Sequence, residues 1–171
     1  MGRPGGLRQH CMSSLPSVAS VLAKLDALGV TLPAGPVRVD GYGDSEALSE
    51  ELLALIRSGR KRAGTELLWA YAAEGEALPK AGDVEIVVNH ANEPALVTRI
   101  TSVEVLPYRE VGAEYAAIEG EGDGSLAYWR EAHWAFFTRE CKRLGRQPED
   151  TMPVVCSVFE LLAVLPPDAA G

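Results

Sequence analysis

The segments DVEIVVN (83–89) and ALVTRITSVEVL (95–106) are rich in β-branched residues and are separated only by HANEP, which predicts two strands joined across a short turn. This pair constrains the fold most, because it places sheet structure at the centre of the chain. TELLWAY (65–71) reads as a strand before the pair, and PVVCSVFELLAVL (153–165) as one that closes the chain. Helical patterns surround them. Val18, Val21, Leu22, Leu25 and Leu28 recur at helical spacing before Gly29, and TLPAGP follows as a linker. SEALSEELLALIRSG fits a second helix, capped by Asp44 or Ser45, with Leu48, Leu52, Leu55 and Ile56 as its buried stripe and Gly59 past its end. VGAEYAAIEG reads as a short helix and SLAYWREAHWAFFTRECKRLG as a long one, with Leu126, Trp129, His133, Phe136 or Phe137, Cys141 and Leu144 on one apolar face. The alternation of helix and strand is too irregular for a doubly wound sheet, so the expected class is α+β, built around a curved sheet or small barrel.

At 171 residues and 47% hydrophobic content the chain fits one globular domain with a sizeable core, with residues 1–36 as a leader and helix ahead of a domain over 37–166. Sixteen basic against 24 acidic side chains leave a net charge of −8, which works against loose binding to any polyanion. No apolar run approaches the roughly 18 residues of a membrane span. SVASVLAKLDALGV carries Lys24 and Asp26, which spoils it as a signal-peptide core, and the leader MGRPGGLRQHC is expected to be disordered. Cys11, Cys141 and Cys156 are odd in number and far apart, giving neither a disulfide framework nor a zinc pattern. The expectation is a cytoplasmic protein with no membrane contact, no metal and no organic cofactor.

Residues 119–125, EGEGDGS, alternate carboxylates with glycines. As a calcium loop they would put Glu119, Glu121 and Asp123 at positions one, three and five, but the twelfth position, which must supply a bidentate carboxylate, is Arg130. A cation there repels the ion. Read structurally, the stretch is a tight connection in which glycines supply positive φ and Asp123 or Ser125 caps the next helix. That account leaves Glu119 and Glu121 unexplained.

Five stretches together carry a family resemblance: YGDS (42–45), the basic SGRKRAGT (58–65), LPKAGD (78–83), the strand pair after it, and EYAAIEGEGDGSLAYWREAHWAFF (114–137). The chain resembles the ASCH-domain family from about Tyr42 to about Leu165. The resemblance implies a PUA-like fold, a small curved β-barrel flanked by helices, and RNA binding in general. Some relatives are described as ribonucleases, and others as amidohydrolases that cleave the acyl group from N4-acetylcytidine. In the amidohydrolase members a lysine, a threonine three residues on and a downstream glutamate carry the chemistry. Those positions fall here on Lys61, on Gly64 with Thr65 one residue late, and on Glu119. An arginine that some relatives place two residues after the threonine is Glu66 here. A one-residue shift turns a strand side chain to the opposite face, so Thr65 is expected to serve only if the strand bulges near Gly64.

Hydrolysing an amide needs a nucleophile, a base and an acid for the departing amine. Thr65, or a water, is the candidate nucleophile. Lys61 is the candidate base, its pKa to be lowered by burial or by its neighbours Arg60 and Arg62. Glu119, near other carboxylates and so easier to protonate, is the candidate acid. The plainer alternative is a structural Lys61–Glu119 pair. His133 reads as a core histidine hydrogen-bonded to backbone, with a catalytic role as the alternative, and Arg130 either locks Glu121 or Asp123 or reaches a phosphate. Trp69 is either strand packing or a platform for a base. Of the basic runs, RSGRKR (57–62) suits phosphate contact and RECKRLGR (139–146) complements its helix C-terminus. The expected partner is a modified nucleoside or an RNA base held by Arg60, Arg62, Trp69, Glu121 and Arg130. A non-catalytic RNA-binding module and a ribonuclease are the alternatives.

Overall fold

A computed structural model describes residues 15–166, so the leader MGRPGGLRQHC, with Cys11, lies outside the described residues. Five strands form one curled sheet in the order β1-β3-β4-β5-β2: β1 Val37–Gly41, β2 Ala63–Leu67, β3 Val84–Val88, β4 Pro94–Pro107 and β5 Pro153–Val164. β1 runs parallel to β3, and every other neighbouring pair is antiparallel. β4 joins β3 through its first half and β5 along most of its length, with register shifts at Val97/Thr98 and Ile100/Ser102. Such bulges add local bend and twist, which suits a sheet that curls.

Five helices pack around it. α1 (Val18–Ala27) lays Val21 and Leu25 on Val84, Ile86, Val88 and Val97, so the helix assigned to the leader shares the core of the sheet. α2 (Glu46–Arg57) buries Leu52, Leu53 and Ile56 against Val87, Leu96, Ile100 and Phe159 on the opposite face. Ser45 caps it, accepting from the Leu48 amide. α4 (Ala113–Glu119) and α5 (Leu126–Arg143) close a third cluster, in which Trp129, Phe136, Phe137 and Cys141 meet Leu67, Val154 and Cys156. Ser125 is the cap of α5, and Asp123 supports it by accepting from the Ser125 amide.

Two segments differ from the sequence reading. TELLWAY is strand only to Leu67. From Leu68 the chain turns into α3 (Leu68–Glu74), which buries Ala70 and Tyr71 and ends at Gly75 in the left-handed conformation. The alanines of LWAYAAE favour helix once the sheet no longer needs the segment. Trp69 is therefore a helix residue, not a strand residue. The second difference is β1, whose V-R-V-D alternation is a strand signal hidden in a short stretch after the linker.

Candidate functional site

Lys61, Thr65, Glu119, Glu121 and His133 converge between the α5 cluster and the α2 cluster, and none is more than 6% exposed. β2 and the segment just before it bring the first two together. Its pairing with β5 runs without a register shift from Ala63 to Leu67, so the expected bulge at Gly64 is absent. None is needed: residues four apart share a face of an extended chain, and Thr65 lies four beyond Lys61.

Glu119 arrives as the last residue of α4. Gly120 then takes φ +67°, and a Cβ there would run into the Arg60 carbonyl, so this turn requires glycine. Gly122 likewise lies against the Tyr128 ring at φ +57°. The glycines of EGEGDGS thus let the loop close on the segment before β2 while Glu119 and Glu121 turn inward and Asp123 stays outside.

The hydrogen bonds define the arrangement. Thr65 Oγ1 lies 2.9 Å from Glu119 Oε2, and Trp129 Nε1 donates to the same oxygen at 2.6 Å. His133 Nε2 is 3.0 Å from the other oxygen, Oε1, and Lys61 Nζ is 3.7 Å from it. Lys61 Nζ donates to the Ala63 carbonyl and to Glu121 Oε1, both at 2.7 Å, and sits 5.4 Å from the centre of the Tyr42 ring. Tyr115 donates to the Gly64 carbonyl at 2.7 Å and stands 3.1 Å from Thr65 Oγ1. Beside this network a cavity of about 240 Å³ is lined by Tyr115, Cys156, Leu106, Val111 and the carboxylates of Glu104, Glu110 and Glu114.

These contacts split the two buried carboxyls. Burial alone would push Glu119 up, but the His133 ring, the Lys61 ammonium and the hydrogen bonds from His133 and Trp129 bring it down to about 2. Glu121 goes the other way: burial raises it, Lys61 counters, and Glu119 adds to the rise. The sequence expectation of Glu119 as the more easily protonated group is therefore reversed, because its donors outweigh its burial. Lys61, expected as a base, is ringed by acceptors and donates in every contact it makes. Burial, reinforced by the nearby Glu119 charge, lifts the Cys156 thiol to about 12, so it stays protonated beside Thr65.

The split has a consequence for stability. Glu119, with its folded value below the ordinary 4.5, contributes stability that is present above that value and lost as pH falls towards about 2. Glu121, with its folded value raised, contributes most below its ordinary value, and that contribution is lost as pH rises through the folded value. Urea unfolding of the wild type should weaken between pH 4.5 and pH 2 more than that of Glu119→Gln. Parallel pH curves for the two proteins would count against this linkage.

The remaining predicted site residues stand outside the cluster. Arg60 donates through Nη2 to the Gly122 carbonyl and so straps the acidic loop. Arg62 and Arg130 are exposed and form no ion pair among the described residues, so Arg130 does not lock Glu121 or Asp123. Trp69, on α3, has the Arg146 guanidinium 4.2 Å from its ring centre. Sequence reasoning missed Tyr115, Trp129 and Cys156 as members of the site and favoured a backbone-bonded core His133 over a catalytic one; the ring contacts both the Trp129 carbonyl and Glu119. The signals were the pairs Tyr115/Glu119 and Trp129/His133, each one helical turn apart and so on one face.

The model of the ASCH domain matches residues 39–163. The crystal structure of an ASCH domain from Lactobacillus crispatus JV V101 is similar at 32% identity and a TM-score of 0.74, over 86% of this chain and 96% of that one. The protein EF3133 from Enterococcus faecalis V583 is similar at 31% identity and a TM-score of 0.70, over 86% and 91%. No curated protein matches the sequence. No helix among the described residues is long and apolar enough to cross a membrane. With the family model covering most of the length, and the PUA-like sheet and helices in place, the chain belongs to the ASCH-domain family.

Proposed function

We propose that the chain hydrolyses an amide in a small acylated nucleoside of the N4-acetylcytidine type, with Thr65 as nucleophile and Glu119 as its base. The observation that carries this is the 2.9 Å bond between Thr65 Oγ1 and Glu119 Oε2, in a carboxylate held ionised by its neighbours. In this reading Thr65 Oγ1 attacks the acyl carbon and its proton passes to Glu119. The oxyanion forms within the field of the Lys61 ammonium. The C–N bond breaks as Glu119 returns the proton to the departing amine. Water then attacks the Thr65 ester, giving its proton to Glu119, and Thr65 recovers a proton as the acid leaves.

The cavity beside Tyr115 and Cys156 supports a small ligand, since both residues also touch Thr65. Its glutamates disfavour phosphate there, and the net charge of −8 adds to the effect. RNA binding is the second reading, favoured by the exposed Arg62 and Arg130. One series separates them: acetate release from N4-acetylcytidine, from its 5′-monophosphate and from an oligoribonucleotide carrying the same base. The expected order is nucleoside first, with kcat/KM for the monophosphate lower by about tenfold or more, a difference of about 1.4 kcal/mol. Release from the oligomer alone would favour the RNA reading, and strand scission without acetate the ribonuclease.

A further inference from the structure

α5 presents two nitrogens to the two oxygens of one carboxylate. Trp129 and His133 are one turn apart, and their rings stack at 4.0 Å with 17° between planes. Trp129 Nε1 takes Glu119 Oε2, and His133 Nε2 faces Oε1. The other ring nitrogen, His133 Nδ1, is 2.7 Å from the Trp129 carbonyl, which can only accept. Nδ1 therefore carries a hydrogen. If Nε2 lacked one, its lone pair would point at a carboxylate oxygen 3.0 Å away, with both side chains buried. The contact is favourable in two ways only: a doubly protonated ring against a carboxylate, or a neutral ring accepting from a protonated Glu119.

The surrounding charges select the first. Against His133 stand Glu119 from the end of α4 and Glu121 from the loop after it, with Lys61 from the segment before β2. Its own helix supplies the Trp129 and Phe137 rings and the Trp129 carbonyl. Lys61 makes its short contact, 2.7 Å, with Glu121 and stands 3.7 Å from Glu119 Oε1, which leaves that oxygen to the ring. Oε2, meanwhile, already accepts from Trp129 and Thr65, a pattern that suits an ionised group.

We infer that Trp129 and His133 are positioning residues for Glu119, and that His133 must be doubly protonated to hold the carboxylate with Oε2 turned to Thr65. The catalytic half of this inference rests on the hydrolase reading; the protonation half does not. Without an Nε2 hydrogen facing it, Oε1 would have no donor from the ring and Glu119 would turn away. Thr65 would then lose its acceptor. His133 acts through Glu119 and touches no substrate.

Two measurements on the full chain decide it. Nitrogen NMR of the His133 ring should show both nitrogens protonated at neutral pH in the wild type. In Glu119→Gln the Trp129 indole N–H resonance should shift. On N4-acetylcytidine, His133→Gln should lower kcat by about 10–100-fold with KM little changed. Trp129→Phe keeps the ring stack, and should lower kcat with KM again little changed. A neutral His133 ring in the wild type would overturn the inference, as would an unchanged kcat in His133→Gln. If no protein hydrolyses the nucleoside but the ring is doubly protonated, the hydrolase reading falls and the clamp on Glu119 stands.

Discussion

Lys61→Ala is expected to lower the unfolding free energy at neutral pH by about 3–5 kcal/mol, the usual cost of removing one partner from a buried ion pair. The substitution leaves Glu119 and Glu121 facing each other with no ammonium between them. It also strips the Ala63 carbonyl of its donor and the Tyr42 ring of its cation. Because Glu121 is already pushed upward, it is the group that takes up a proton in the variant. The loss should therefore shrink as pH is lowered and the carboxyls are neutralised, which a denaturant series at several pH values reads directly. Lys61→Met restores the volume but not the charge, and should recover only a small part. A loss under about 1 kcal/mol would mean that the pair behaves like a solvated surface contact.

Most of the fold was legible because its signals are local. The strand pair at Val84–Val88 and Pro94–Pro107 announced itself through β-branched runs. The helices after Ser45 and Ser125 announced themselves through cap and stripe together. Where local signals conflicted, the reading failed: Leu68 to Tyr71 look like strand by composition, but α3 takes them because beyond Leu67 β5 offers only Pro153, which has no N–H to donate. The short β1 gains its place only by lying parallel to β3, a contact between distant segments.

The site was legible in its members more than in their roles. Lys61 and Glu119 were visible through the family resemblance, and the period of a strand explains why Thr65 joins them without a bulge. What a sequence does not display is which cation a carboxylate meets in space. Glu119 looked like a proton donor beside other acids. It became the more acidic of the two because α5 returns across it, bringing Trp129 and His133 to its two oxygens. The helical stripe placed His133 on the right face but named no partner for it.

Thr65→Val should keep the fold, since valine matches the threonine in shape and the position is fully buried. It removes the hydroxyl that stands against Glu119 Oε2, while Lys61, Trp129 and His133 continue to hold that carboxylate. With nucleophile and proton relay both gone, turnover should fall by about 10³-fold or more. Acetate release from N4-acetylcytidine, wild type against Thr65→Val at equal folded concentration, is the direct comparison. The account predicts release by the wild type and near-complete loss in the variant. No release from the wild type, or equal release from both, would contradict it.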